Sequence, residues 1–320
     1  MKHSTSLFGQ MLSVISRDTF TRLVRKHGSD YGSKGFDSWT QMVSMLFCQL
    51  AQAKSLREIC KGLRACVGKL NHLGVGEPPK RSTLSYANAN RPWELYRDLF
   101  YELLDTVQQA SPGKKRKFRF KNKLLSLDGT IIDLCESIFD WAKFRRTKGA
   151  VKLNLLLDHD GYLPVFANIT EGKEHEINTA RLLSLPEDSI VAVDRGYFDY
   201  SLFERWSQEG VWFVTRLKKN VSYRVVEGRQ VPQNRNIMCD QLIRLTSRQA
   251  REECPRVLRR VVVWDPERER SFALLTNHLD FGATTIAKIY RDRWEIETFF
   301  RTLKQNLKVK TFVGTTANAL

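Results

Sequence analysis

The spacing of apolar residues changes character near residue 124, and that change dictates a chain of two differently built parts. Up to about residue 110 apolar side chains recur at helical intervals, through Phe8, Met11, Leu12, Ile15 and Phe20, and again through Trp39, Met42, Met45, Leu46 and Leu50. Ser55 precedes LREICKGLRACVGKLNHLG with Glu58 three residues on, a capping-box pattern for a further helix. From residue 124 the texture becomes that of strands. LLSLDGTIIDLC is an apolar run with a central acid, and residues 151 to 169 predict two strands around the turn Asp158-His159-Asp160-Gly161. Ile177 to Leu185 predicts a helix, SIVAVD a buried strand, Ser201 to Gln208 a helix and VWFVTRL another strand. Short β-rich pieces (VSYRVV, LRRVVVW, SFALLT) fill residues 221 to 275, and a single helix from about Thr284 to Leu307 closes the set. The order fits a mixed α/β core carrying a β-rich insertion.

Between the helices of the first part, Gly74, Gly76 and Pro78-Pro79 form a break, after which Ser82 or Thr83 is expected to cap a short helix ending at Arg91-Pro92. Two helices joined by a Gly/Pro turn, the second rich in Ser, Asn and Arg, have the form of a helix-turn-helix, and a plain helical bundle has the same pattern. The expected organisation is a helical DNA-binding domain over residues 1 to 110, a basic linker over 111 to 123 (SPGKKRKFRFKNK) and a catalytic domain over 124 to 320.

Charge narrows the partners. Fifty-two Lys and Arg against thirty-five Asp and Glu give a formal charge of +17, which favours a polyanion whose condensed counterions are released on binding. The six cysteines (Cys48, Cys60, Cys66, Cys135, Cys239, Cys254) show no CxxC pairing and no neighbouring His. That argues against zinc and against a disulfide framework, and for reduced thiols in a cytoplasmic setting. No segment has the form of a signal peptide or a membrane span. GxxxxGK[ST] and GxGxxG loops are lacking, which disfavours ATPase and dinucleotide chemistry.

The closing segment holds the most specific signal. On one continuous helix Tyr290, Arg293, Glu297 and Lys304 fall within an arc of roughly 60°. The apolar residues Ile289, Ile296, Phe300, Leu303 and Leu307 lie on the adjoining flank, so the helix buries one side and carries Glu297 along the edge of that side. Asp128 in LSLDGT and Asp194 in VAVDRGY each end an apolar run. Taken singly, Asp128 reads as a turn residue, Asp194 as a cap and Glu297 as a surface acid. Jointly they offer three hard oxygen ligands without Cys or His, a set suited to two Mg²⁺ or Mn²⁺ ions and to in-line phosphoryl transfer. Trp294, on the other flank, has a face on which an extruded base can stack, although a core tryptophan is the commoner case. Asp158 and Asp160 read as hairpin residues, Asp133 and Glu136 as strand-end or surface acids, and Glu174-His175-Glu176 as a helix cap region.

LDGT, VDRGY and YRDRWEIETFFRTLKQNLK resemble the three acidic motifs of bacterial DDE transposases of the insertion sequence 4 family, the last containing that family's Y-x2-R-x3-E-x6-K arrangement. KSLREICKGL and RSTLSYANANR resemble the helical domain that precedes the catalytic core in one branch of it. The resemblance spans nearly the whole chain. It implies a ribonuclease-H-like core with a β-rich insertion, and cut-and-paste transposition by hydrolytic nicking and 3′-hydroxyl attack, without a covalent protein–DNA intermediate. Asp128, Asp194 and Glu297 would hold the two metals, while Tyr290, Arg293, Lys304 and Trp294 would contact DNA. The implied partners are double-stranded transposon ends and target DNA, with a dimer in the synaptic complex. Family members usually continue with another helical segment, so the ending VGTTANAL suggests a C-terminally shortened copy. A nuclease of the same fold and a catalytically silent DNA-binding remnant are the alternative readings.

Overall fold

In the computed structural model the described residues are 6–66, 70–110, 117–134, 143–145, 148–233, 235–307 and 313–319. Cys135, Glu136 and residues 111–116 of the basic run lie outside them. The chain divides into two compact units, one comprising residues 1–112, 132–150 and 302–320, the other 113–131 and 151–301.

The first unit is built on helices α1 (Leu7–Leu12), α2 (Arg17–His27), α3 (Ser38–Leu50), α4 (Leu56–Ala65), α5 (Arg81–Asn90) and α6 (Glu94–Ala110). The single helical pattern expected from Phe8 to Phe20 is two helices, because Ser16 turns out of the helix and its hydroxyl accepts the Thr19 amide to start α2. Ser55 caps α4 as expected, its Oγ accepting the Glu58 amide at 3.2 Å, while the Glu58 carboxylate accepts the amide of Lys54. Neither Ser82 nor Thr83 caps α5. That helix starts at Arg81 after Lys80, with no side-chain cap. Phe20, Leu23, Val43, Ile59, Leu63, Leu84 and Leu95 lie in the core of this first unit.

The second unit rests on a twisted sheet of strands β1 (Leu124–Leu134), β3 (Lys148–Asp158), β4 (Leu163–Glu171), β5 (Ile190–Val193), β6 (Trp212–Arg216), β7 (Tyr223–Gly228), β8 (Ile237–Leu245), β9 (Leu258–Asp265) and β10 (Arg270–Thr276); the short β2 (Lys143–Arg145) pairs with the start of β3. Their spatial order is β4-β3-β1-β5-β6-β10-β9-β8-β7. β1, β5 and β6 run parallel, and β3 with β4 forms the antiparallel hairpin predicted around Asp158. The five-strand part, β4-β3-β1-β5-β6, is a ribonuclease-H-like core. Residues 221–275 continue its edge, since β10 pairs with β6 and the rest follow antiparallel. Two elements there escaped the sequence reading: β8, whose IMCDQLIRL interrupts its apolar run with Asp240 and Gln241, and α9 (Arg248–Glu253), capped by Ser247. Asp240 is buried because Arg259 of β9 binds it with two hydrogen bonds of 2.8 and 2.6 Å.

Helices α7 (Glu176–Leu182) and α8 (Tyr200–Gln208) belong with one face, where Leu125 and Leu127 of β1 meet Leu202, Phe203 and Trp206. α10 (Ala283–Asp292) covers the other, where Leu124 of β1 meets Ile286, Ile289 and Tyr290. Beside it α11 (Glu295–Asn306) packs Ile296 and Phe300 on Leu155 and Leu157 of β3. The one long helix expected from Thr284 to Leu307 is therefore two. Amide bonds tighten to i→i−3 at Trp294, Ile296 and Glu297, so the chain turns a corner at Arg293-Trp294. Leu307 lies past the end of α11 and is exposed rather than packed.

Candidate active site

Strand alternation places the first acid. Leu125 and Leu127 point to the α7–α8 face, so Leu124, Ser126 and Asp128 point to the α10–α11 face. Asp128 does not end its strand, as expected from the sequence, but lies in the middle of an eleven-residue one. It borders a cleft because its partner strand stops. β5 ends at Val193, which is in register with Leu127, so Asp128 and Asp194 are the first neighbours beyond the paired stretch. Neighbouring strands lie about 4.8 Å apart, which brings the two aspartates side by side. A glycine follows each aspartate within two residues, Gly129 after Asp128 and Gly196 after Asp194, and each is closely approached by a side chain. A Cβ on Gly129 would stand 2.8 Å from Asn154 Oδ1, and one on Gly196 would collide with the Glu176 carboxylate.

The corner of α10 and α11 delivers the rest. Arg293 is buried, and its guanidinium donates to Asp128 Oδ2 and to Glu297 Oε1, both at 3.0 Å. Tyr290 donates its hydroxyl to Asp194 Oδ1 at 3.3 Å, and the Arg293 guanidinium lies 5.5 Å from the Tyr290 ring centre. Asp128, Asp194, Glu297, Tyr290 and Arg293 are thus brought together. Trp294 is exposed beside them, with the guanidiniums of Arg268 and Arg293 at 5.3 and 5.7 Å from its ring. Lys304, half-buried near the end of α11, belongs to the first unit.

Burial pushes the Asp128 carboxyl up to about 6; Arg293 and the Gly129 amide oppose the rise, while the charges of Glu176 and Glu297 add to it. Burial also raises the Tyr290 phenol to about 12, so it is a hydrogen-bond donor at neutral pH. For Arg293 burial works against the charge, yet the surrounding Asp128, Tyr290, Asp194 and Glu297 hold it above its ordinary range. Glu176 is a fourth acid at this edge that the sequence reading gave only a capping role; it opens α7, with Lys152 Nζ 3.6 Å from its carboxylate. Nothing in the local sequence distinguishes it from an ordinary first-turn acid.

Among the described residues no three acids, histidines or cysteines close on one point as a ready metal cage. The reason is Arg293, whose cation stands between Asp128 and Glu297. The donor set nonetheless suits a hard cation: carboxylate oxygens only, one of them desolvated enough to gain from a positive partner.

Fold and site together define a ribonuclease-H-like core with Asp128 and Asp194 side by side where the pairing of β1 with β5 stops, Glu297 on a helix across from them, and the Arg293 cation between Asp128 and Glu297. Comparison with known proteins specifies it further. The family described as "Transposase DDE domain" matches residues 119–319, and a "Domain of unknown function (DUF4372)" matches residues 3–76. The chain belongs to the DDE transposases, a family of bacterial insertion sequences, and its function is DNA transposition. It is 28% identical over 246 residues to "Putative transposase y4zB" of Sinorhizobium fredii, covering 76% of this chain and 67% of that one. It is 26% identical over 323 residues to "Probable transposase for insertion sequence element IS5377" of Geobacillus stearothermophilus, covering 100% and 81%. A solved piggyBac transposase synaptic complex with hairpin DNA aligns with a TM-score of 0.43 at 12% identity, over 97% of this chain and 67% of that one. Among the described residues no helix is long and apolar enough to cross a membrane.

Proposed function

We propose that this transposase cleaves and joins DNA at the ends of its element in a divalent-metal-dependent reaction, with Asp128, Asp194 and Glu297 as the metal-holding triad for two Mg²⁺ or Mn²⁺ ions. The observation that carries the reading is three carboxylates near one buried guanidinium, with Asp128 and Glu297 hydrogen-bonded to it, Asp194 acting on it by charge, and Asp128 strongly desolvated. When bound, such ions activate the attacking oxygen and stabilise the leaving one in an in-line displacement. The protein's own groups do the remainder. Arg293, released from the carboxylates, and Tyr290, a neutral donor, bind the phosphate next to the scissile bond; Lys304 binds a neighbouring phosphate. Trp294, exposed at the rim, offers a stacking face for an unpaired base.

The helical unit is the reading's DNA-recognition part. The cavity between the start of α4 and the exposed face of α5 measures about 850 Å³ and is lined by Lys54, Arg57, Arg81, Ser85 and Tyr86. Cations and an exposed aromatic around a helix start suit a duplex backbone. Two copies pairing two ends, in the cytoplasm, complete the proposal.

The test is a cleavage assay on a duplex carrying the element end, with Mg²⁺. Hairpin or strand-transfer products support the proposal. Indiscriminate nicking points instead to a nuclease of the same fold, and a mobility shift without cleavage to a silent DNA-binding protein; either result overturns it.

A further inference from the structure

A buried hydrogen-bonded chain runs behind the acidic edge and takes no part in the reading above. Ser126 Oγ lies 2.7 Å from His159 Nε2, and His159 Nδ1 lies 2.7 Å from Asp292 Oδ2. Ser126 is fully buried, and the His159 and Asp292 side chains are 5% and 4% exposed. Lys117 Nζ closes the outer end on the other Asp292 oxygen. The roles are fixed by the chemistry of the groups. A carboxylate only accepts, so Nδ1 carries a proton and donates to Asp292, while Nε2 shares a hydrogen bond with the Ser126 hydroxyl, which can donate or accept. Burial would favour a neutral Asp292, yet the bonds from His159 and Lys117 hold its carboxyl below the usual range.

A Ser-His-Asp sequence of hydrogen bonds invites a hydrolase reading, and the surroundings refute it. Ser126 sits inside a central strand in register with Ala192, with no surface open to a substrate. What the chain does is mechanical. Ser126 and Asp128 lie two residues apart on one face of β1, and Asp292 and Arg293 are consecutive at the α10–α11 corner. His159 joins the first member of each pair, and Arg293 joins the second member of each by its 3.0 Å bond to Asp128. The four residues and the histidine form a closed ring of two backbone segments and two sets of hydrogen bonds. His159 is itself anchored, since its amide donates to the Leu124 carbonyl at 3.0 Å and its ring lies 5.4 Å from that of Tyr162.

We propose that His159 and Asp292 are positioning residues that fix the α10–α11 corner against β1 and so aim Arg293 at Asp128. A helix corner without glycine or proline needs such an anchor. The Arg293 guanidinium bonds Asp128 and Glu297 through its two terminal nitrogens, while its buried Nε–H has no hydrogen-bond partner, so nothing bonds the inner end of the group. This inference rests on the metal-dependent cleavage reading for its functional arm and on structure alone for the other.

The experiment compares wild type, His159→Ala, His159→Asn, Asp292→Asn, Arg293→Ala and the double variant His159→Ala with Arg293→Ala. In single-turnover cleavage of an end duplex, His159→Ala and Asp292→Asn should slow the reaction between about tenfold and a hundredfold, as small misplacements do. Duplex affinity should be unchanged. His159→Asn keeps a donor near the Nδ1 position and should recover most of the rate. Adding His159→Ala to Arg293→Ala should cost less than about twofold more, because the brace acts through Arg293. Independently of activity, a slowly exchanging Arg293 Nε–H signal in ¹⁵N NMR spectra should be present in wild type and lost in His159→Ala and Asp292→Asn. Fully additive rate losses, or an unchanged guanidinium signal, overturn the inference. A wild type that does not cleave at all rejects the cleavage reading, and the NMR arm then decides the brace alone.

Discussion

Asp128 should make the metal-free protein less stable as the pH rises, and replacing it should reverse that. In the unfolded chain its carboxyl titrates near 3.8; burial in the fold raises it to about 6. The fold therefore prefers the neutral acid. Whatever stability Asp128 contributes is fully present below about pH 4 and is lost as the pH climbs through about 6. One pKa unit corresponds to about 1.4 kcal/mol, so the ionised carboxylate costs about 3 kcal/mol by pH 8 even with Arg293 beside it. The side chain is only 17% exposed, so solvent screens little of this. Asp128→Asn removes the titration while keeping the shape. In urea unfolding of the metal-free protein, the stability difference between variant and wild type should grow in favour of the variant by about 2–3 kcal/mol between pH 4 and pH 8, most of it between pH 4 and pH 6 and half of it by about pH 5. Every other group titrates in both proteins and cancels. Mg²⁺ should stabilise wild type more than the variant at pH 8. A difference that stays flat across the range, or moves the other way, refutes the reasoning about the site's electrostatics.

Other consequences lie further from the acids. Asp240→Ala strands the Arg259 guanidinium, whose side chain is 3% exposed, and should lower stability by about 3–5 kcal/mol in urea unfolding. Gly196→Ala should destabilise by less than about 1 kcal/mol, because the new methyl group meets only the carboxylate end of the flexible, partly exposed Glu176 side chain, which can swing aside; a loss of several kcal/mol in thermal unfolding would contradict this. The Cys254 thiol is buried and pushed up to about 12, mainly by burial. Maleimide at neutral pH should therefore modify the half-buried Cys66 while sparing Cys254 until the protein unfolds, as mass spectrometry of the labelled peptides would record.

How far the molecule is legible in its sequence differs from element to element. The hairpin about Asp158, the buried strand at Ile190 and the cap at Ser55 follow from local rules, because each depends on residues within a few positions of it. β8 was missed because its buried Asp240 is neutralised by Arg259, nineteen residues away. The break between α10 and α11 has no glycine or proline to announce it. It arises where Asp292 is drawn to His159 and Arg293 to Asp128, both contacts more than a hundred residues distant in sequence. The spacing that suggested one polar stripe was read on a straight helix, and the corner changes it: Tyr290 and Arg293 are buried at the end of α10 while Glu297 opens α11. Motif spacing pointed to the residues. Their geometry depends on a tertiary contact network that spacing does not encode.

The most direct measurement is end-duplex cleavage by Glu297→Gln beside wild type, each titrated with Mg²⁺, with duplex affinity measured on the same preparations. Gln keeps the size of the side chain and removes the charge. The triad reading predicts that wild type cleaves only with the metal, and that Glu297→Gln loses cleavage by at least about a thousandfold while its duplex affinity changes little. Cleavage retained by Glu297→Gln, or wild-type cleavage that persists in chelator, would contradict it.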